Sequence, residues 1–395
     1  MLALFCRVSR YYSYLNSAIQ LLGKYRGDEP FSLFLKKHFS TNKKYGSKDR
    51  KSISHLCYCY FRLGKAVAEM PVEERIIAGL FLCSLTSNEL LQHLRPDLDP
   101  HAALPLSKKI LLLDSSFSVN DIFPWGNEFS EGIDYEKFCA AFFIQPDLFL
   151  RLRPGNQERV MAKLRQQEIV FETINESCIA VANSLKVDTI IELNKEAVIQ
   201  DYSSQQVGKL LAQVKKENVF RVWDCCAASG GKSIMAKDIL EDIDLTVSDI
   251  RESILYNLKQ RFAEAGIKQY KSFVADLTAS GSQPAKQQYD LIIADVPCSG
   301  SGTWSRTPEQ LYFFDAQKID EYSLLQKKIT SAIIPSLRPG GFLLYITCSV
   351  FKKENEFVVE YIKEKYGLAE VEKKSMTGYD KRADTLFASL LQKPL

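Results

Sequence analysis

From about Val207 onward the sequence repeats one pattern: a short apolar run ending at a carboxylate or small polar residues, then an amphipathic stretch. The runs Phe220 to Trp223, Leu245 to Val247, Ser272 to Val274 and Leu291 to Ala294 are followed within two residues by Asp224, Asp249, Asp276 and Asp295. Two further runs, Phe342 to Ile346 and Leu386 to Leu390, close the series. Apolar strands separated by amphipathic helices predict an α/β domain, an open and mostly parallel sheet with helices on both faces. Such sheets bind ligands beyond the carboxyl ends of their strands, where all four acids fall. A lone acid at a strand end is commonly a turn or helix cap; four in succession with a glycine-rich loop specify a nucleoside cofactor better.

The front of the chain reads differently. Residues 1 to 110 show helical periodicity without strand alternation and carry 17 Lys and Arg against 9 Asp and Glu, which leaves the remaining chain at −5. Such asymmetry predicts a polyanion partner for a helical domain, and the segment Lys43 to Arg62 interleaves basic and aromatic residues as RNA binders do. Tyr58 and Tyr60 lie in an apolar helix and read as core. A connector rich in Ser, Asp, Asn, Pro and Gly follows, then a small α+β module with a helix at 154–167 and strands near 169–174, 179–181 and 189–193. Arg151, Arg153 and Arg159 in that module read equally as RNA contacts or ordinary surface. The boundaries are 1–134 for the helical domain with its connector, 135–206 for the module and 207–395 for the α/β domain.

Composition narrows the chemistry. Forty-six per cent hydrophobic and 25% charged residues are ordinary for a globular protein, and no apolar run approaches the roughly 18 residues of a spanning helix. Met1 to Tyr14 carries arginines where a secretory signal needs an apolar core, so a cytoplasmic protein without membrane association is expected. Ten cysteines contain no C-x-x-C pair, which argues against a zinc site or a disulfide framework. Histidines occur at His38, His55, His93 and His101 and nowhere later, so a Ser-His or Cys-His dyad within the α/β domain is excluded.

Three motifs lie at strand ends. Asp224 to Ser233 (Asp-Cys-Cys-Ala-Ala-Ser-Gly-Gly-Lys-Ser) is a loop of small residues opening a helix; the phosphate-binding loop it resembles requires glycine where this chain has Cys226. Asp295 to Gly302 places Cys298 beside a carboxylate. Leu337 to Ser349 reads as a turn, a buried strand and a second cysteine, Cys348. Neighbouring parallel strands would bring Cys298 and Cys348 into one crevice. Two thiols, a carboxylate and no histidine suit addition to an activated ring better than peptide hydrolysis. The loop from Gly302 to Glu309, with Trp304 and Arg306, reads as either a contact with the target's neighbours or a surface loop.

The segments 224–233, 295–302 and 339–349, with Glu354-Asn355-Glu356 after them, resemble the Sun/RsmB-type family of RNA cytosine-5 methyltransferases. The resemblance extends over about residues 150 to 395, including Gln200-Asp201 and Ser203-Ser204-Gln205. More loosely, the first third is similar to NusB-like RNA-binding domains, best at Gly46-Ser47-Lys48-Asp49-Arg50. The resemblance implies a Rossmann-like domain binding S-adenosyl-L-methionine, with Cys226, Ala227, Ala228, Ser229, Gly230, Gly231 and Lys232 around its methionine part. It implies Asp249 on the ribose, Asp276 on the adenine and Asp295 against the target cytosine at the edge of the cofactor site. Cys348 is implied as the nucleophile and Cys298 as the base for release. The implied substrate is RNA, foremost small-subunit (16S) ribosomal RNA, acted on by a metal-free monomer. A transfer-RNA enzyme of the same chemistry, or a non-catalytic ribosome-assembly factor, are the alternatives. Two departures stand out: Ser229 where the family has proline, and Ser233 where it has threonine.

Overall fold

A seven-stranded sheet carries the strand ends singled out above. The computed structural model describes residues 2–113, 117–214, 220–279 and 287–395, with backbone alone for residues 2–9, so the side chain of Cys6 lies outside the described residues. The chain divides into two compact units: Met1–Asn127, Asp134–Gln145 and Trp304–Asp315 form one, and Glu128–Ile133, Pro146–Thr303 and Ala316–Leu395 the other.

The first unit is helical throughout its described residues. Helices Leu2–Lys24, Phe31–Thr41, Ser47–Arg62 and Val72–Cys83 turn Phe31, Ile53, Leu56, Phe61 and Phe81 into one core. Tyr60 is buried and Tyr58 packs against that core, as their apolar helix predicts. The guanidinium of the buried Arg75 lies 4.8 Å from the Tyr60 ring centre and 5.5 Å from that of Tyr312. Trp304, read from sequence as a loop residue able to reach a substrate, is 1% exposed, with ring centres of Phe314 and Phe123 at 4.6 and 5.7 Å. Its indole belongs to this core. Within the patch Gly46 to Arg50, Asp49 accepts the Gly46 N–H at 2.8 Å and Lys48 pairs with Glu89 at 3.2 Å.

The second unit holds two sheets. The smaller contains β1 (Leu148–Leu152), β2 (Phe171–Asn175), β3 (Cys178–Val181) and β4 (Ala197–Ile199), antiparallel in the order β2-β3-β1-β4. The larger contains β5 (Arg221–Asp224), β6 (Asp244–Asp249), β7 (Lys271–Val274), β8 (Tyr289–Asp295), β9 (Leu337–Thr347), β10 (Ala369–Met376) and β11 (Leu386–Gln392), in the order β10-β11-β9-β8-β5-β6-β7. Strands β7, β6, β5, β8 and β9 run parallel, and β11 and β10 add antiparallel at one edge. The order reverses at β5, so a crevice opens beyond β5 and β8, the place such sheets use for ligands.

Differences from the sequence expectation have local causes. Residues 189–193 form no strand; Val187–Thr189 is a 3-10 turn and the fourth strand is Ala197–Ile199. Strand β10 escapes an apolar search because it is a half-exposed edge reading Glu-Val-Glu-Lys-Lys. The turn expected at Pro339-Gly340 lies inside β9, where the pairing with β8 shifts register and Gly340 takes φ 73°. The three arginines of the module are ion-paired. Arg151 and Arg153 reach Asp238, on helix Gly231–Leu240, at 2.6 and 2.7 Å, with all three side chains 15% exposed or less, and Arg159 reaches Glu196 at 2.7 Å. The first two, buried against Asp238, tie the small sheet to a helix of the larger one, while Arg159 pairs within the module.

Removing one partner of a buried ion pair strands the other charge. Asp238→Ala should therefore cost roughly 3–5 kcal/mol in urea denaturation; a loss below about 1 kcal/mol, the worth of an exposed pair, would show that Asp238 is not the anchor of this contact.

Candidate active site

The two loops carrying the cysteines converge because β8 and β9 are parallel neighbours in register. Asp295 stands opposite Ile346, so the residues just beyond each strand enter the same space. Cys298 Sγ and Cys348 Sγ lie 3.1 Å apart, fifty positions apart in sequence. Backbone bonds fix the approach: Gly302 N–H donates to the Cys348 carbonyl at 2.9 Å, and Thr385 N–H to the Gly302 carbonyl at 2.9 Å. A Cβ on Gly302 would overlap the Thr385 carbonyl oxygen, so glycine is required there. Its contact with Cys348, then burial and the nearby Glu354 carboxylate, push the Cys298 thiol well above the ordinary thiol range.

The loop after β5 turns through two left-handed residues, Ala228 (φ 45°) and Gly230 (φ 85°), before helix Gly231–Leu240 begins. Asp249 buttresses it from β6: its carboxylate accepts the Ala228 N–H at 3.0 Å and the backbone N–H of Arg251 at 3.0 Å. Asp276, at the end of β7, is exposed and accepts the N–H and hydroxyl of Thr278 at 2.9 and 2.6 Å, which hold its carboxyl below the usual range. Lys232 bridges the first loop to Asp295 at 3.0 Å and donates to Ser204 Oγ at 2.7 Å. Both departures from the family pattern keep a bond. Ser233 Oγ–H donates to the fully buried Asp224 at 2.6 Å, a role any hydroxyl fills. Ser229 accepts Arg261 Nη1 at its hydroxyl, 2.6 Å, and at its carbonyl, 3.0 Å, while Arg261 Nε donates to Asn194 Oδ1 at 3.0 Å. A side-chain brace thus stiffens the loop where proline would do so through φ.

Two cavities meet at these residues. One, of about 540 Å³, is lined by Cys226, Asp249, Asp276, Pro297 and Cys298, and the other, of about 310 Å³, by Ser204, Lys232, Arg261 and Asp384; Asp295 and Cys348 line both. Of the site residues expected from sequence, all but the buried Gly230 line one or both of these cavities, and Cys348 lies at their junction. Sequence reasoning passed over Arg261, Gln326 and the role of Ser204. Arg261 sits in an ordinary charged helix, and nothing in its spacing marks it.

The family model described as 16S rRNA methyltransferase RsmB/F matches residues 209–386. Over those residues, a little under half of the chain, the sequence is similar to that family. Among curated relatives, a ribosomal RNA small subunit methyltransferase B of Xanthomonas campestris is 31% identical over 208 residues, 51% of this chain and 46% of the relative. A probable ribosomal RNA small subunit methyltransferase B of Synechocystis is 31% identical over 232 residues, 57% of this chain and 51% of the relative. The chain thus spans about half the length of these RsmB/F relatives. Among solved structures, PH0851 superposes with a TM-score of 0.69 at 18% identity, covering 98% of this chain and 99% of that one. NSun6 from Pyrococcus horikoshii, solved with SFG, gives 0.57 at 14% identity, covering 66% and 94%. These two likenesses establish the shared fold.

Burial raises the Asp224 carboxyl to about 7, against the pull of Ser233. A raised folded-state value means that the folded chain holds a proton the unfolded chain has lost, so this group makes stability fall as pH rises from about 4 to about 7. Asp224→Asn removes that dependence. The stability difference between variant and parent should change across this window and level off above it; parallel stability–pH curves would show that Asp224 does not titrate there.

Proposed function

We propose that this chain is a cytoplasmic, monomeric S-adenosylmethionine-dependent RNA methyltransferase that makes 5-methylcytosine in small-subunit ribosomal RNA. The observation that carries the reading is the pair of thiols 3.1 Å apart where two cavities meet, beside the Lys232–Asp295 bridge. The larger cavity suits the cofactor. Asp249 and Asp276, at the ends of β6 and β7, line it, and Arg251, whose side chain pairs with Asp249, is 59% exposed and free to swing away from a ribose; the smaller cavity takes in Gly231, where an added Cβ meets nothing within 4 Å. The loop from Cys226 to Lys232 would hold the methionine part, Asp249 the ribose hydroxyls and Asp276 the adenine amine. When bound, the cofactor supplies an electrophilic methyl group.

The chain's own residues must make carbon 5 of cytosine nucleophilic and then restore the ring. Cys348, as thiolate, forms a bond to carbon 6 and pushes the electron pair of the 5,6 double bond toward carbon 5, while Asp295 holds the base at N3 and the exocyclic amine. Lys232 keeps Asp295 oriented. Once carbon 5 is methylated, Cys298 in its deprotonated form takes the carbon 5 proton. The carbon 6–sulfur bond breaks, the double bond returns and Cys348 leaves as thiolate. The cycle calls for no metal. A base must leave its stack to present its ring to a thiol, so loops and single strands are the favoured targets. The helical unit, whose basic residues Lys43, Lys44 and Lys51 are exposed, is the candidate for holding the rest of the RNA.

With labelled cofactor and small-subunit RNA, Cys348→Ala should lose methyl transfer by at least about 10³-fold, as expected for an essential nucleophile, and form no adduct. Cys298→Ala should accumulate a covalent protein–RNA species on denaturing gels. An adduct formed by Cys348→Ala would reverse the two assignments, and labelling confined to transfer RNA would move the substrate.

A further inference from the structure

Glu354 lines neither cavity, yet it is fully buried and all its bonds run to the two cysteine loops and their support. One carboxylate oxygen accepts the backbone N–H of Ser299 at 2.9 Å and Gln326 Nε2 at 3.0 Å; the other accepts the Ser349 hydroxyl at 2.7 Å. Ser299 follows Cys298 and Ser349 follows Cys348. Gln326 also donates to the Pro297 carbonyl at 3.0 Å, so the residues on both sides of Cys298 are fixed through this one side chain. The Tyr345 hydroxyl donates to the Glu354 carbonyl at 2.6 Å and anchors the carboxylate's own backbone to β9. Burial pushes the Glu354 carboxyl up against the pull of its hydrogen bonds.

We propose that Glu354 is the positioning residue of the two thiols: its carboxylate ties Ser299 to Ser349 and so sets the spacing at which Cys298 meets Cys348. No reacting atom need touch it. Without it, the loops keep the Gly302–Cys348 backbone bond and the 3.2 Å contact between the Ser299 and Ser349 hydroxyls, but lose the buried bridge that holds both serines and Gln326 to one group. The bonding also says which replacement succeeds. A glutamine oxygen still accepts from Ser299 and Gln326, and its amide donates to Ser349 Oγ, which accepts equally well. An alanine reaches neither loop.

Thiol capture reads the spacing without RNA. The full chain is treated with diamide, and the Cys298–Cys348 disulfide is followed by peptide mass spectrometry; the two thiols give up two protons and two electrons, which reduce the azo bond to a hydrazine as the S–S bond forms. Glu354→Ala should slow capture by roughly 10- to 100-fold, the scale of an ångström misplacement, while Glu354→Gln stays near the parent rate. Parent-rate capture by Glu354→Ala, or equal slowing by Glu354→Gln, overturns the proposal. Should Glu354→Ala show no cooperative melting, Ser349→Ala and Gln326→Leu each remove one arm: slowing in either supports the clamp, and unchanged capture in both overturns it. The catalytic arm rests on the function proposed above. In it Glu354→Ala lowers kcat while KM for S-adenosylmethionine holds, and a rise in KM of the same size would overturn a positioning role. If the parent chain methylates no RNA but capture still depends on Glu354, the clamp stands and the proposed function falls.

Discussion

The meeting of the two cysteine loops depends on the absence of a side chain at Gly302. Its N–H and carbonyl are both committed, to Cys348 on one side and Thr385 on the other, and any Cβ would enter the Thr385 carbonyl. Three chain segments far apart in sequence are thereby drawn to one point. Parallel pairing of β8 and β9 brings the cysteine loops near each other; the Gly302 staple brings them into contact. The rest of the site is arranged around that contact, with Lys232 and Asp295 on one side and Ser299, Ser349 and Glu354 on the other.

Electrostatics at the crevice follow from what is buried and what is not. Asp224 and Glu354 are both fully buried acids, each bonded to a serine hydroxyl, and burial raises both. Asp276 is exposed and holds its own turn. Four acids at four strand ends thus do four different things, and no single rule about strand-end carboxylates covers them. Asp224 steadies the helix after the first loop through Ser233, and Asp249 steadies the loop itself through Ala228. Asp295 alone pairs with a lysine at the junction of the two cavities.

Much of this was legible in the sequence. Strands buried on both faces read as continuous apolar runs, so β5, β6, β8 and the antiparallel β11 announce themselves, and small residues with glycine mark the loop after β5. The edge strand β10 has one wet side and no such run. Trp304 and the arginines of the module misled for one reason: aromatic and cationic residues look alike from sequence whether they face a ligand or are consumed within the protein. Asp238, 85 and 87 positions from its two partners, carries no local sign that it neutralises them. Glu354 was visible as part of a motif, but its work depends on which two serines fold against it.

The brace on Ser229 has one more consequence. A proline stiffens a loop from within, and its effect is independent of the surroundings. Here the stiffness is borrowed: it passes from Ser229 through Arg261 to Asn194, a residue beside the small antiparallel sheet that takes a left-handed conformation of its own (φ 63°). The loop expected to cradle the cofactor is therefore mechanically continuous with a neighbouring sheet, and strain at either end can be felt at the other. A chain that trades a ring for a hydrogen-bonded relay has made the shape of its cofactor loop a property of two sheets instead of one.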